Sequence, residues 1–328
     1  MNRRDTITAL LALGAAARPL GARAQVPQKV RRVAYLASIS ADSDVPRLNG
    51  FRNALRGFGY VEGQNLVIDY RYESGNFERL PGLAVELIRL KPDVIVTVAT
   101  PATLAAKNAT RTIPIVFSGV ADSVAFGLVD SLRRPGGNVT GIDNLVSVLA
   151  GKRLQLLKEA VPKLSRIAVL WEPHTPASAQ QWKESQLPAR DLGLRLYLMQ
   201  VSGADKSESA FAEAAKAGNS AFAVTISPTA FSNQARIAEL AAKYRWPAVY
   251  PQSGFADSGG LMSYGPDYVA VGRVVGRYVD KILKGAKPED LPVELPTEFE
   301  LIINLKAARK IGLTIPQLML LRADRVIE

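Results

Sequence analysis

The sequence lacks cysteine altogether and contains a single histidine, His174. Disulfides, thiol chemistry and cysteine-based metal sites are therefore excluded. A Ser-His-Asp triad would have to use this one histidine, and a zinc ion would be without its usual ligands. These absences count against most hydrolytic and metal-dependent enzymes, so neither a metal nor a cofactor is predicted.

The N-terminus lacks an apolar run of the roughly 20 residues that span a bilayer. Its apolar segment, Ile7–Ala17, is shorter, follows the pair Arg3-Arg4 and precedes the small-x-small motif that ends at Ala24. This order predicts a signal peptide over residues 1–24 and hence a periplasmic mature protein. Paired arginines also occur in twin-arginine export signals. The alternative, an N-terminal core helix, is disfavoured by Pro19.

Charge is not gathered into blocks, although 41 basic and 30 acidic residues give a net charge of +11. Lys and Arg recur singly, and the densest cluster beyond the N-terminus is Lys29, Arg31 and Arg32. A nucleic-acid-binding protein would more often show a basic stripe, so nucleic acid is not a predicted partner. A solvated basic surface is favoured, and attraction to anionic ligands or to a membrane surface stays open.

The pattern of apolar residues predicts an α/β protein. Short β-branched runs alternate with longer amphipathic ones, as in βα units that build parallel sheets. This pattern runs to about residue 145 and then restarts, which predicts two Rossmann-like lobes with a hinge and an interlobe cleft. The predicted N-terminal lobe comprises residues 29–143 plus 266–290. The predicted C-terminal lobe comprises residues 144–265 plus 296–328.

Four predictions of individual segments are specific enough to test. One helix is expected over Pro46–Phe58, another near Val124–Leu132 and a third over Thr229–Tyr244. After the helix that ends at Ile311, a short tail is expected.

Small polar residues follow the predicted strands of the first lobe. In open α/β sheets, ligands bind beyond the carboxyl ends of the strands, and two facing lobes place both sets of ends around one cleft. Hydroxyl groups and free N–H groups at helix N-termini suit a carboxylate or a similar anion. Each Ser or Thr alone is more often a helix cap, so the convergence of three turns carries the prediction. The candidate ligand-binding residues here are Ser38, Thr100, Pro101, Ser118, Gly119 and Asp122.

The strand ends of the second lobe add acids and aromatic rings. The candidate ligand-binding residues here are Trp171, Glu172, Thr225, Ser227, Gln252, Tyr264 and Asp267. Glu172 or Asp267 would hold an ammonium group. An apolar or aromatic body would stack on one of four rings, those of Trp171, Tyr250, Phe255 or Tyr264. The alternatives are a core position for Trp171 and a helix cap for Asp267.

Motifs for nucleotide binding or hydrolysis are missing. Gly57, Gly59 and Gly63 resemble a dinucleotide fingerprint, but their spacing is wrong and they follow a helix instead of opening one. The sequence contains neither GxxxxGK nor the GxSxG elbow. No catalytic constellation is found, so no enzyme is predicted.

Four segments resemble a family of ABC-transporter solute-binding proteins, some of which take up tryptophan or tyrosine. They are Ile113–Gly141, Gly151–Pro162, Arg166–Pro173 and the C-terminal run LPTEFELIINLKAARKIGLTIP. The resemblance implies a type I periplasmic binding protein fold with three interlobe crossings. It also implies cleft positions at Ser38, Thr100, Ser118, Asp122, Thr225 and Gln252. Where the family often has Gly-Asp-Pro, this chain has Ala121-Asp122-Ser123.

These observations together predict the substrate-binding component of an ABC importer. It would capture an amino acid or an aromatic or other carboxylate by hinge closure, and amino acids rank first on the resemblance alone. The expected partners are this ligand and a permease in the inner membrane, with the protein acting as a monomer. A sensory accessory with the same fold is the alternative. An exported enzyme lacks a catalytic constellation, and a sugar-type transcriptional regulator lacks its DNA-binding segment.

Overall fold

The computed structural model describes residues 30–73, 76–144, 146–172, 175–201 and 206–328. Arg31–Glu328 belong to one folded unit. The predicted signal peptide and His174 lie outside the described residues. Within the described ranges, no helix is both long enough and apolar enough to cross a membrane.

Five parallel strands form the first sheet. They are β1 (Arg31–Ala37), β2 (Leu66–Tyr72), β3 (Val94–Val98), β4 (Ile115–Ala121) and β5 (Val139–Asn144). The helices between them are α1 (Ala41–Gly57), α2 (Leu80–Arg89) and α3 (Thr100–Ala109). The strand order β2-β1-β3-β4-β5 is that of a doubly wound sheet with helices on both faces. Strand β3 is accordingly buried along its whole length, as its sequence VIVTV predicts.

The second sheet has seven strands. They are β6 (Arg166–Trp171), β7 (Arg195–Gln200), β8 (Phe222–Val224), β9 (Ala248–Tyr250), β10 (Met262–Pro266), β11 (Phe299–Asn304) and β12 (Arg325–Ile327). Their order is β12-β11-β10-β9-β8-β6-β7, with β11 antiparallel to β10. From β7 to β10 the connectivity repeats that of the first sheet, which confirms the predicted α/β fold.

Nine helices follow the first sheet in the described part of the chain. They are α4 (Val146–Ala160), α5 (Pro176–Asp191), α6 (Ser207–Lys216), α7 (Pro228–Ser232), α8 (Gln234–Lys243), α9 (Ser253–Asp257), α10 (Tyr268–Leu283), α11 (Leu305–Ile311) and α12 (Gln317–Leu320). Helix α4 packs on β9 and β10 of the second sheet. Helix α10 instead packs along α1 of the first lobe.

Glycines bring α1 and α10 into close contact. A Cβ atom on Gly272 would lie 2.0 Å from the carbonyl oxygen of Arg47, and one on Gly50 would lie 2.1 Å from that of Val269. Only glycine leaves room for backbones this close. The crossing therefore fixes the N-terminal end of α10, including Tyr268, beside the N-terminal half of α1.

The chain passes between the two sheets three times. It does so after β5, again between β10 and α10, and finally between Glu294 and β11. Before the last passage, Glu294 runs beside β5 and donates its N–H to the carbonyl of Gly141 at 3.0 Å. Three crossings agree with the expectation from the resemblance. A buried cluster also contains residues of both lobes, among them Val98 and Val224.

Several segment predictions need correction. Helix α1 begins at Ala41, and Pro46 lies inside it, because Ser40 caps the helix by accepting the N–H of Ser43 at 3.4 Å. The helix predicted near Val124–Leu132 is wrong: this segment forms turns, and Gly127 has a φ of +61°. The helix predicted over Thr229–Tyr244 is divided at Asn233 into α7 and α8, and the predicted tail contains α12 and β12.

Candidate ligand-binding cleft

Each sheet has a switch point, where neighbouring strands are followed by connections in opposite directions. Ligands of doubly wound sheets bind in the crevice at this point. In the first sheet it lies between β1 and β3, whose ends lead to Ser38 and Thr100. In the second it lies between β6 and β8, whose ends lead to Glu172 and Thr225. Residues predicted from the sequence therefore occupy both switch points.

Hydroxyl groups at the first switch point and on the neighbouring strand β4 are buried. Ser38 is fully buried, and its Oγ donates to the carbonyl oxygen of Val98 at 3.3 Å. Thr100 is buried at the first position of α3, and Pro101 follows it in the same turn. The Oγ of Ser118 is also fully buried, and it has no hydrogen-bond partner among the described residues.

The backbone around Gly119 contains two residues with positive φ angles. Gly119 has a φ of +69°, and Ala99, which precedes α3, has a φ of +68°. Such a conformation is strained for alanine and is typical of functional sites. No side chain caps α3. A Cβ atom on Gly119 would lie 3.6 Å from Nη2 of Arg47, 3.8 Å from the Ala99 nitrogen and 3.9 Å from Nδ2 of Asn144. The side-chain donors of Arg47 and Asn144 therefore lie near this turn, whereas the Ala99 N–H already donates to the Ser118 carbonyl at 2.9 Å.

The predicted ligand residue Asp122 accepts a hydrogen bond within its own turn. It is exposed, and its Oδ1 accepts the N–H of Ala125 at 3.0 Å. The buried acid at this edge is Asp143, which the sequence reading did not single out. Its carboxylate accepts the N–H groups of Asp122 at 3.0 Å, Ser123 at 2.7 Å and Asn144 at 2.7 Å. Burial raises the pKa of Asp143, while these hydrogen bonds favour its charged form.

The second switch point holds a hydrogen-bonded cluster. Glu172 is buried and accepts the hydroxyls of Thr175 at 3.0 Å and Thr229 at 2.6 Å. Thr225 donates to the Leu170 carbonyl at 2.7 Å, and its Oγ1 lies 2.5 Å from Oγ of Ser178. Glu172 and Thr225 are thus brought together on one edge, and both already have internal partners.

Two predicted ligand residues are helix caps. Ser227 caps α7, and its Oγ accepts the N–H of Ala230 at 3.0 Å. Asp267 caps α10 by accepting the N–H groups of Val269 at 2.7 Å and Ala270 at 3.2 Å. Both side chains accept hydrogen bonds at helix N-termini, so the role of a helix cap describes them better than the role of a ligand contact.

The aromatic candidates divide into two groups. Trp171 and Tyr264 are half-buried. The Nε1 of Trp171 has no partner in the described part of the chain, and the ring of Tyr264 stacks on Phe299 with centroids 6.4 Å apart. Tyr250 and Phe255, in contrast, stack on each other at 4.8 Å and are fully buried in the core of the second lobe.

Two hydrogen bonds join the lobes at the start of α1. Gln252 is buried, and its Nε2 donates to the Ser43 carbonyl at 3.1 Å. The N–H of Ser40 donates to Oγ of Ser232 at 3.0 Å. Gln252 Oε1 keeps no partner among the residues described. The lobes are therefore closed onto each other, with one predicted site residue bridging them.

A buried ion pair lies beside this contact. Arg47 is 3% exposed and forms an ion pair with Asp44, which is fully buried. Asp44 also accepts the hydroxyls of Tyr35 at 2.6 Å and Tyr72 at 3.3 Å, and burial raises its pKa. The guanidinium carbon of Arg47 lies 4.6 Å from the ring centroid of Tyr268, a cation–π contact.

Arg153 on α4 is a second buried arginine, 3% exposed. Its Nη1 donates to the Tyr264 carbonyl at 3.3 Å, and none of the described carboxylates forms an ion pair with it. Burial lowers its pKa to about 10. Arg47 and Arg153 were missed in the sequence because each lies on an otherwise ordinary amphipathic helix. For Arg47, the spacing of Asp44, Arg47 and Phe51 on one helix face was the available signal.

Within the described ranges, no group of three His, Asp or Glu side chains is placed to hold a metal ion. The donors around Gly119 and the two arginines instead suit an organic anion.

Known proteins resemble this chain over most of its length. A tyrosine-binding protein of Clostridioides difficile (strain R20291) is 29% identical over 255 residues, which cover 78% of this chain and 73% of the relative. The structure of an ABC domain from Streptococcus pneumoniae in complex with L-Trp superposes with a TM-score of 0.84 at 27% identity, over 90% of this chain and 99% of that chain.

A third relative is a substrate binding protein with adhesive properties from Clostridium difficile, solved in a ligand-free, open form. It superposes with a TM-score of 0.66 at 26% identity, over 88% of this chain and 97% of that chain. Residues 32–327 match the family model described as ABC transporter substrate binding protein. Members of this family bind substrates and are not enzymes, and they generally act outside the cytoplasm. The chain belongs to the ABC transporter substrate-binding protein family.

Proposed function

We propose that this protein captures an amino acid or an aromatic carboxylate between its lobes and delivers it to an ABC permease. The observation that carries the proposal is a set of buried polar atoms without partners among the described residues, at or near the two switch points. They are Oγ of Ser118, Nε1 of Trp171 and Oε1 of Gln252. Buried polar groups in folded proteins are almost always hydrogen-bonded, so these atoms mark where a ligand would bind.

In this proposal the ligand carboxylate meets the first lobe. The uncapped start of α3 offers N–H groups and a positive dipole end, and Thr100 and Ser118 offer hydroxyls. The body of the ligand would contact the half-buried rings of Trp171 and Tyr264. Relatives that bind tyrosine and L-Trp support an aromatic solute.

The lobes in this proposal comprise residues 29–143 plus 266–290 and residues 144–265 plus 296–328. The membership of the two sheets and the packing of α10 on α1 support this division. Ligand contacts with both lobes would favour the closed form over the open one. The higher TM-score with the L-Trp complex, 0.84 against 0.66 for the open relative, supports a closure of this kind.

The export route and the partners also belong to the proposal. Residues 1–24 would direct the chain to the periplasm, by the twin-arginine route or the general one, and be removed. The mature monomer would present its closed form to a permease in the inner membrane. The scattered distribution of Lys and Arg favours a solvated basic surface over a nucleic-acid interface.

A thermal-shift screen tests the ligand assignment. The mature protein is unfolded and refolded to remove carried-over ligand, and it is then heated with single amino acids and aromatic carboxylates. A saturable rise in melting temperature with one class supports the proposal, because a ligand stabilises the state that it binds. Flat melting temperatures across the panel would reject both ligand classes.

A further inference from the structure

The backbone bulges at Gly119, near the end of the first sheet. The pairing of β4 with β5 shifts its register between Ser118 and Val120, so Gly119 is the extra residue of a β-bulge. Bulges often occur next to active sites, where they change the direction of a strand. Because glycine has no Cβ atom, the space beside its Cα stays open. We call this space the Gly119 recess.

Two side-chain donors lie beside the Gly119 recess. Nη2 of Arg47 is 3.6 Å, and Nδ2 of Asn144 is 3.9 Å, from the position that a Cβ atom on Gly119 would take. Arg47 binds Asp44 through Nη1, and its Nη2 donates no hydrogen bond within the described ranges. Polar groups of a folded protein are almost always hydrogen-bonded, so two donors around one space indicate an acceptor between them.

Asp143 holds the frame of the recess. Its Oδ1 accepts the N–H groups of Asp122 at 3.0 Å and of Asn144 at 2.7 Å, and its Oδ2 accepts the N–H of Ser123 at 2.7 Å. These bonds join the segment after β4 to the end of β5. Both oxygens of this carboxylate therefore have structural partners, which leaves the neighbouring Asn144 amide to meet a ligand.

Asn144 also lies where two of the interlobe crossings meet. It is the last residue of β5, before the first crossing, and Tyr268 is the first residue of α10, after the second. Burial raises the pKa of Tyr268, and the charges of Arg47 and Arg153 and the Asn144 amide oppose that rise. The Tyr268 hydroxyl has no hydrogen bond of accepted geometry to the described residues. A group bound at Asn144 would therefore lie beside both crossings.

We propose that the Gly119 recess receives the ligand carboxylate, and that Asn144 is a specificity-determining residue that donates to it together with Nη2 of Arg47. This inference rests on the proposed function and adds a residue to its site. The two oxygens of a carboxylate suit two separate N–H donors, and hydrogen bonds to an ionised acceptor are the stronger ones. A carboxamide in the same place would direct its own NH₂ group at one of the donors.

Calorimetric titration of Asn144→Asp with acids and their carboxamides tests this assignment. The refolded mature protein is titrated with L-tyrosine, L-tryptophan and indole-3-propionate, and with the carboxamide of each. The variant side chain has no N–H donor when ionised and repels a carboxylate. We therefore expect the acids to bind about 100-fold more weakly to the variant, and the carboxamides to change by less than about threefold.

Asn108→Asp is the matched control, because Asn108 is exposed on α3 and the substitution adds the same charge. It should leave every affinity at the parental value. Unchanged acid affinities in Asn144→Asp would overturn the assignment alone, and so would equal losses for acids and carboxamides, which a purely structural role of Asn144 predicts. If the parent protein binds none of the six probes, the proposed ligand classes fail as well.

A second pair of variants tests the recess without changing a donor. Gly119→Ala places a methyl group beside both nitrogens, whereas a Cβ atom on Gly127 would meet nothing within 4 Å. The two glycines have similar positive φ angles, +69° and +61°, so alanine should cost each variant a similar loss of stability. Only Gly119→Ala should weaken acid binding, by about tenfold or more. Parental acid affinity in this variant would show that the ligand does not enter the recess.

Discussion

At the scale of single residues, the clearest feature is that Thr100 is buried at the first switch point and Ser118 is buried on the neighbouring strand β4. Ser118 Oγ has no partner among the described residues, so its removal leaves no other group unsatisfied. We expect Thr100→Ala combined with Ser118→Ala to weaken ligand binding about 100-fold, since a hydrogen bond to a charged group is worth about 1.5–3 kcal/mol. Isothermal titration of the double variant measures this loss.

The control for that pair is Ser209→Ala, at an exposed hydroxyl on α6 that donates to the Lys206 carbonyl. The double variant and the Ser209→Ala control should both melt within a few degrees of the parent protein. Retention of parental affinity by the double variant would remove Thr100 and Ser118 from the site. A collapse in melting temperature would instead assign the two hydroxyls to the fold.

The buried pair of Asp44 and Arg47 leads to a prediction about stability. Asp44→Asn removes the counter-charge and leaves a buried guanidinium, which costs about 3–5 kcal/mol in free energy of unfolding. Asp42→Asn is the matched control, since Asp42 lies on the same helix and is exposed. Urea denaturation of the two variants should therefore differ by several kcal/mol. Equal curves would mean that Asp44 does not stabilise Arg47.

The sequence predicts where strands end, but it does not show which hydrogen bonds a side chain near a strand end forms. Ser118 lies in β4 and Gln252 follows β9, strands that sequence periodicity locates, and both keep an unpartnered atom among the described residues. Ser227 and Asp267 also follow strands, but both cap helices, and the same residue types serve either role. Arg153 was not predicted as a site residue because its burial depends on β10, which lies more than 100 residues further along the chain.

At the scale of elements, the crossing of α1 and α10 is the most constrained contact. A Cβ atom on Gly272 would lie 2.0 Å from the Arg47 carbonyl oxygen, so Gly272→Ala must push the helices apart. We expect a loss of about 3 kcal/mol in free energy of unfolding. Because Arg47 and Tyr268 lie at this crossing, ligand affinity should fall as well.

Gly57→Ala provides the comparison at the other end of α1. A Cβ atom there would meet nothing within 4 Å, and alanine favours the helix, so we expect a gain of about 0.5–1 kcal/mol. Denaturant midpoints of the two variants should move in opposite directions. Movement in the same direction would contradict the packing described for this helix pair.

Element boundaries were predictable where apolar periodicity decides them and not where local hydrogen bonds do. The end of α11 at Ile311 matches the sequence prediction. The start of α1 does not, because Ser40 caps it ahead of Pro46. After β4, the N–H groups of Leu128 and Val129 both donate to the Ser123 carbonyl, which closes turns where a helix was expected. Strand β12 exists because β11 pairs with it, a contact that the segment itself does not encode.

At the scale of the whole molecule, the repeated topology explains why one cleft can use both lobes. Each lobe has its own switch point, and the three crossings and the buried cluster that contains Val98 and Val224 connect the two lobes. The Ser40–Ser232 and Gln252–Ser43 hydrogen bonds join the lobes at the start of α1. Because each such bond is worth about 1 kcal/mol net, single substitutions should change the population of the closed form measurably.

Ser232→Ala tests this dependence without touching any candidate ligand residue. Loss of its bond to the Ser40 N–H removes about 1 kcal/mol from the closed form, which corresponds to about fivefold weaker ligand binding. Small-angle X-ray scattering should show a larger radius of gyration for the ligand-free variant than for the parent, and saturating ligand should bring both to the same value. Ser209→Ala should behave like the parent throughout. If the Ser232 variant keeps the parental radius and affinity, this bond does not control closure.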